Sequence, residues 1–177
     1  MKNLKRKPYL LLLCIASLLS GCMHTKYSHY NDGETPEMPT SRVVKFEIND
    51  RFYQEPPKCV TVLPVKGMGG ANFRNSVGAT TARHLFQKVN RVIGPYERTA
   101  LEKKLAYDLT YTRDRRQFSK HMNCEYFVQV TVLEATKTYA VVWAQQLIHL
   151  KIKLHGLAKE KFIWRASHSV TRENGGL

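Results

Sequence analysis

Apolar and polar positions follow two different periods along this chain. Residues 59–65, CVTVLPV, form a run rich in β-branched residues, which predicts a strand covered on both faces. Apolar side chains then recur at helical spacing over residues 73–89, and Asn72 is a suitable N-cap for that helix. The glycines between the run and the helix permit a tight turn. The first half of the chain therefore predicts a strand–turn–helix unit.

Two further helices are predicted before the period changes. Thr99 and Glu102 have capping-box spacing at the start of a helix over residues 100–109. A third helix is predicted over residues 114–122, and Asn123 suits the left-handed conformation that ends a helix. Short strand segments are predicted at residues 44–48 and 90–97.

From Cys124 onward the apolar period is two, which is typical of strands. Strands are predicted at residues 125–133, 139–154 and 162–170, with a turn at residues 135–137 and a bulge near residues 145–146. In the second of these strands apolar side chains alternate with lysine and histidine. This alternation predicts one covered face and one wet, basic face.

The order of elements predicts one α/β domain with a mixed sheet that ends in an antiparallel three-stranded meander. Strands joined by helices run parallel through right-handed crossovers, whereas the meander is antiparallel. Residues 59–65 and 125–133 are expected to be central parallel neighbours.

The amino-terminal residues have the pattern of an export signal. A basic head precedes an apolar run of about a dozen residues, which is shorter than the roughly 20 needed to span a bilayer. The tetrapeptide LSGC at residues 19–22 resembles the lipobox of bacterial lipoproteins, and that resemblance implies cleavage before Cys22 and its acylation with palmitate-type chains. The alternative is an ordinary secretory signal. The predicted organisation is a signal peptide over residues 1–21, a flexible tether over 22–41 and an α/β domain over 42–177.

Charge suggests the class of partner rather than the fold. After removal of residues 1–21, the 24 remaining Lys and Arg residues exceed the 14 Asp and Glu residues by 10. Acidic envelope polymers and phospholipid headgroups are the expected polyanions for an exported protein, and nucleic acid is disfavoured by the compartment. The alternative is a solvated basic surface with no specific ligand.

Basic residues concentrate in two places. One is the third predicted helix and the other is the wet face of the long strand; the residues are Arg113, Arg115, Arg116, Lys120, Lys151 and Lys153. They are candidates for a patch that faces an anion or a partner, and a solvated helix face is the alternative.

Two cysteines remain in the predicted domain, Cys59 and Cys124. An even pair in an oxidising compartment favours a disulfide. If the strands that follow them are parallel neighbours about 4.8 Å apart, both cysteines start at the same end of the sheet, within the Cα range of a disulfide. Two separate buried thiols are the alternative.

Catalytic motifs were sought and none was found. The glycine-rich turn lacks Gly-Lys-Ser/Thr, and the chain contains neither His-Glu-x-x-His nor Gly-x-Ser-x-Gly. Cys124 and His121 are the best local nucleophile and base, but a structural cysteine and a histidine at a helix end are commoner. The sequence therefore predicts no catalytic residue, cofactor or metal site, and no enzyme activity.

Three segments carry a resemblance to a group of envelope lipoproteins: CVTVLPV, NCEYFVQVTVLEATKTYAVVW, and FIW around Trp164. The group includes the curli-secretion lipoprotein, the penicillin-binding-protein activator lipoproteins and an envelope lipoprotein family of unknown function. The resemblance covers residues 58–172 and implies an anticodon-binding-like or TolB amino-terminal-like fold. It transfers no functional residue except the lipidated Cys22. Relatives usually continue into a further carboxy-terminal helix, whereas this chain stops at Leu177. We therefore expect either that the chain is truncated or that its sheet is covered in another way than by that helix.

Two functional hypotheses follow. The first is a membrane-anchored periplasmic module without catalytic activity, which binds a protein partner of an envelope machine or assembles with itself. Met23, in place of the Asp that retains enteric relatives in the inner membrane, favours the outer membrane. The second is a glycan-binding protein or hydrolase of the envelope, and it requires a cleft lined by histidines and carboxylates.

Overall fold

The computed structural model describes residues 26–29, 43–140, 143–157 and 162–175. The strands are β1 (Lys26–His29), β2 (Val43–Ile48), β3 (Cys59–Val62), β4 (Lys66–Gly67), β5 (Arg91–Ile93), β6 (Tyr126–Ala140), β7 (Trp143–Gly156) and β8 (Phe162–Gly175). The helices are α1 (Arg51–Gln54), α2 (Ala71–Phe86), α3 (Pro95–Leu105) and α4 (Thr112–Met122).

The described strands form one mixed sheet in the order β1-β2-β8-β7-β6-β3-β5, with β4 paired to β6. Strand β3 runs parallel to both β5 and β6, so the predicted central parallel pair is confirmed. Strands β6, β7 and β8 form the predicted antiparallel meander, and β2 extends it beyond β8. The α/β fold class with a mixed sheet is confirmed.

Helices cover both faces of the sheet around β3, β5 and the start of β6. On one face, Leu109, Phe118 and Phe127 are at most 1% exposed and pack with the cysteines into a cluster that α3 and α4 cover. On the other face, Val60 and Val128 pack beneath α2. The core therefore lies at this end of the sheet, as the continuous apolar run of β3 predicted.

Two helices begin at different residues from those predicted. Helix α2 begins at Ala71, with Gly70 as an extended N-cap, so Asn72 lies inside the helix. Gly69 has a φ of +96°, and this backbone conformation lets the chain turn into the helix before Asn72. Helix α3 begins at Pro95, because the fixed φ of proline suits the first helical turn.

The proposed capping box is consequently wrong. Thr99 Oγ1 donates to the carbonyl of Pro95 from within α3. Glu102 Oε1 instead accepts from the amide of Leu109 after the helix has ended. By contrast, the left-handed end of α4 at Asn123 is confirmed, with a φ of +50°.

The meander strands are longer than predicted. Strand β6 continues without a turn through residues 135–137, because these residues pair with residues 146–148 of β7. A bulge between Val132 and Glu134 shifts the register of the two strands by one residue. This bulge lies on β6 rather than at the predicted place near residues 145–146. Strand β8 likewise continues to Gly175.

The predicted tether contains one element that the sequence did not indicate. Residues Lys26–His29 form β1, which pairs in parallel with β2. The signal peptide and Cys22 lie outside the described residues.

Candidate functional site

The two cysteines meet at the amino-terminal ends of β3 and β6. Cys59 and Cys124 are bonded through their Sγ atoms, and their Cα atoms are 5.1 Å apart. Both are buried in the cluster beneath α3 and α4. The geometry agrees with the pairing expected from the parallel strands, and it fixes the loop that brings α4 against the sheet.

A cavity of about 270 Å³ opens where α4 meets β7. Its charged and polar walls come from the first turns of α4, through Thr112 and Arg115, and from the end of β7, through Lys153 and His155. Its apolar walls include Phe127 and Phe162. None of the residues that line this cavity is acidic. The site therefore combines two cations with aromatic walls, which suits an anion attached to an apolar group.

The strand register explains why these side chains share a face. Lys153 pairs with Gln129, and His155 pairs with Phe127, on the side of the sheet that α4 covers. The alternation of β7 therefore places its lysines and histidines on this side, and Ile148, Leu150, Ile152 and Leu154 on the other. The predicted wet, basic face is thus the face on which the cavity opens.

The pKa of His155 reflects the electrostatic environment of the cavity. Burial, together with the positive charges of Arg115, Lys153 and Lys66, lowers the pKa of its imidazole to about 4. The ring stacks on Phe127, with centroids 6.3 Å apart and an interplanar angle of 25°. Within the described part of the chain, neither ring nitrogen forms a hydrogen bond with another protein group. The imidazole is therefore neutral near pH 7, and its nitrogens are available to a ligand.

The structure divides the predicted basic patch. Arg115 and Lys153, predicted from separate segments, line the same cavity. Lys151 lies two residues earlier on the same face of β7. The other three predicted residues are exposed on α4 and do not line the cavity; they are Arg113, Arg116 and Lys120.

Sequence reasoning missed His155 as a member of the site. The alternation of β7 placed it on the basic face, but no sequence signal indicated that α4 would close over it. Next to the cavity, Arg165 lies 4.4 Å above the ring of Phe162, and its guanidinium pairs with Glu47 at 2.6 Å. This cation is therefore already neutralised by a carboxylate.

A larger groove of about 810 Å³ lies on the opposite face, between α2 and the meander. Its walls are mainly apolar and include Phe52, Val77, Leu85, Ile152 and Trp164. His84 and Lys88 stand among the few polar residues there, and no carboxylate lines the groove. The groove therefore lacks the histidine–carboxylate lining on which the hydrolase hypothesis depends.

A third cavity, of about 210 Å³, lies beyond the end of β3 between the starts of α2 and α3. Its two arginines are already engaged by the protein backbone. Arg98 is 9% exposed and donates to the carbonyl of Val62 at 2.9 Å, while Glu102 accepts from its Nε at 3.3 Å. Arg74 donates to the carbonyl of Gly69. These contacts give both arginines a structural role, because Arg98 holds the end of β3 and Arg74 holds the loop that follows β4.

The described residues contain neither a metal-binding group of side chains nor a membrane-spanning helix. No three histidine, cysteine, aspartate or glutamate side chains in residues 26–29, 43–140, 143–157 and 162–175 are grouped closely enough to hold a metal ion. None of the helices in these ranges is long and apolar enough to cross a membrane.

Comparison with solved structures identifies similar folds at low sequence identity. Lipoprotein GNA1162 from Neisseria meningitidis is 18% identical over 68% of this chain and 85% of its own, with a TM-score of 0.55. A PelC dodecamer subunit from Paraburkholderia phytofirmans is 15% identical over 72% and 79%, with a TM-score of 0.46. The LpoB C-terminal domain from Salmonella enterica is 12% identical over 68% and 90%, also with a TM-score of 0.46.

No protein-family model matches the sequence, and no curated protein matches it. At 18% identity, the likeness to the Neisseria lipoprotein shows that the two proteins share an α/β fold and nothing more specific.

Proposed function

We propose that this protein is a membrane-anchored periplasmic lipoprotein that acts as a non-catalytic binding or assembly module of the bacterial cell envelope. The lipobox-like residues 19–22 support an acyl anchor at Cys22, and Met23 directly after it favours a location in the outer membrane. The Neisseria protein of similar fold is itself a lipoprotein, which agrees with this proposal. The anchor confines the domain near the membrane and raises its effective concentration for a partner there.

The observation that carries the binding role is the convergence of cations from two separate elements on one face. Arg115 from α4 and Lys153 from β7 line one cavity, and Lys151 continues the basic surface along β7. Positive groups arranged in this way steer an acidic partner and fix its orientation. The proposed partners are an acidic region of an envelope protein, a second copy of this protein, or an acidic envelope polymer.

Crosslinking and affinity purification of the full-length protein from its native envelope test the binding role. We expect recovery of a partner or of a self-assembled complex, with less of either when Lys151 and Lys153 are both replaced by glutamine. Arg113→Gln combined with Arg116→Gln is a matched control, because it removes the same charge from the exposed side of α4. Recovery of neither a partner nor an assembly would refute the module.

Metabolic labelling with a radioactive fatty acid tests the anchor separately. We expect the wild-type protein to incorporate label and to fractionate with the outer membrane. Cys22→Ser should abolish labelling, because serine has no thiol to be acylated, whereas Cys14→Ser should label normally. Equal labelling of the Cys22→Ser variant would contradict acylation at this residue.

A further inference from the structure

We propose that the cavity between α4 and β7 is a binding site for a phosphate group carried on a small organic body, such as a phosphorylated glycerol. This proposal rests on the proposed function, which places the protein in the cell envelope, and it adds the chemical class of the ligand that the basic cavity binds. It is argued from the charge, the shape and the available hydrogen-bonding groups of the cavity.

The charges of the cavity favour an anion with more than one negative charge. Arg115 and Lys153 supply two full positive charges to the walls, Lys66 on β4 adds to the potential at His155, and the lining residues include no carboxylate. The nearest acidic side chain of α4, Asp114, is engaged outside the cavity, where its Oδ2 accepts from the amide of Asp108. A phosphate monoester carries a charge of about −1.5 to −2 near pH 7. The charge of a phosphate monoester therefore nearly balances the two positive charges of Arg115 and Lys153, whereas a single carboxylate would neutralise only one of them.

The donors are of the kinds that hold phosphate. A guanidinium presents a planar fork of donors to two phosphate oxygens, and an ammonium serves as a compact point charge. Arg115 Nη2 already donates to Thr112 Oγ1 at 2.9 Å, and this bond positions the guanidinium beside the first turn of α4. Thr112, the first residue of α4, lines the cavity, and no side chain of Tyr111 caps this turn, so the positive end of the helix lies at the cavity wall.

The size and the walls define the rest of the ligand. A cavity of about 270 Å³ is slightly smaller than the roughly 300–1,000 Å³ of pockets for drug-sized ligands. Much of its wall is apolar, through Phe127, Leu157 and Phe162. A bare phosphate ion would leave these walls without contacts, whereas a three-carbon body would cover them. The site therefore suits a small phosphate ester more closely than an inorganic ion.

His155 provides a local reporter of occupancy. Its ring nitrogens have no hydrogen-bond partner within the described residues, and the charged groups that face it are Arg115 on α4, Lys153 on its own strand and Lys66 on β4. A bound phosphate opposes these three cations, so it favours the protonated ring. Binding at this cavity must therefore move the His155 resonances, which binding elsewhere on the basic surface would leave unchanged.

The experiment titrates the full-length protein in neutral detergent with glycerol 3-phosphate while the histidine resonances are followed by NMR. We expect saturable shifts of the His155 signals near pH 6, where the phosphate still carries a charge of about −1.5 and a raised pKa increases the protonated fraction of the ring. Arg115→Gln combined with Lys153→Gln should weaken binding at least tenfold. Arg113→Gln combined with Arg116→Gln is the matched control, because it removes two charges from the exposed side of α4 without changing the cavity lining, and its affinity should be unchanged.

A second probe, a short-chain phosphatidic acid in the same detergent, also carries a phosphate monoester and distinguishes a lipid headgroup from a free phosphate ester. Saturable, Arg115-dependent binding of either probe supports the site and identifies the source of the phosphate. Equal binding of acetate would overturn the phosphate assignment. Equal weakening by the Arg113→Gln, Arg116→Gln control would show a diffuse charge effect and overturn the site. If neither probe binds, the phosphate site is refuted. Recovery of a partner from native envelopes would still support the proposed binding role, so the two failures can be distinguished.

Discussion

The two ends of the sheet differ in how completely they are covered. In the helix-covered half, made of β3, β5 and the start of β6 with α2, α3 and α4, every residue of β3 is buried. In the meander half, made of β7, β8, β2 and the rest of β6, Leu154 alone of the described side chains of β7 is buried. The helix-covered half thus holds the compact core, whereas most described side chains of β7 and β8 in the meander half remain partly exposed.

This difference predicts that the two halves contribute unequally to stability. Phe118 in α4 is 0% exposed within the cluster of the helix-covered half, whereas Phe162 at the start of β8 is only partly buried. Phe118→Ala should lower the free energy of unfolding by about 3–5 kcal/mol, because it leaves a cavity that the surrounding structure cannot fill. Phe162→Ala removes the same atoms and should have less than half that effect. Urea unfolding measures both, and equal losses would contradict the division into two halves.

The disulfide belongs wholly to the helix-covered half, and its removal is the next largest expected effect. It closes a loop across 65 residues of sequence separation, so Cys59→Ala combined with Cys124→Ala should lower stability by about 2–4 kcal/mol. Reduction of the wild-type protein should reproduce this loss, whereas reductant should not alter the stability of the double variant.

Thiol titration of denatured protein without reductant provides the check on the bond itself. The acylated form should show no free thiol from the described domain. Two free thiols from residues 59 and 124 would show that the cysteines are not bonded in the cell.

The helix-covered half was the easier half to predict, because its signals are local. A continuous apolar run such as residues 59–62 predicts a strand buried on both faces wherever that strand lies in the sheet. The disulfide followed from one further assumption, that β3 and β6 are parallel neighbours. The start of α3 was missed because Thr99 and Glu102 imitate a cap that Pro95 makes unnecessary.

The meander half was harder, because its features depend on contacts between distant strands. Residues 135–137 have the composition of a turn, but pairing with β7 holds them in β6. The sequence also did not predict that the residues of the basic cavity lie together. Arg115 and Lys153 were each named as basic, yet only the packing of α4 over the end of β7 brings them to His155.

The cavity lies at the junction of the two halves, and its histidine gives the smallest expected effect. Burial and three nearby cations lower the pKa of His155 to about 4 in the folded state, against about 6.5 in an unfolded chain. Between these two values the unfolded state binds more protons than the folded state, so stability falls as the pH drops from about 6.5 towards 4. The partial exposure of the ring reduces the effect, and we expect a loss of about 1–2 kcal/mol from this residue.

His155→Gln should remove this contribution, because glutamine keeps a polar side chain without a titrating proton. The variant should lose less stability than the wild-type protein between about pH 6.5 and 4, while carboxylates and the other histidines contribute equally to both. His84→Gln, on the exposed rim of the apolar groove, is the matched control and should leave the pH profile unchanged. Urea unfolding at several pH values measures the difference. Parallel profiles for wild type and His155→Gln would show that α4 does not bury this ring, and the junction between the two halves would then be as open as the meander itself.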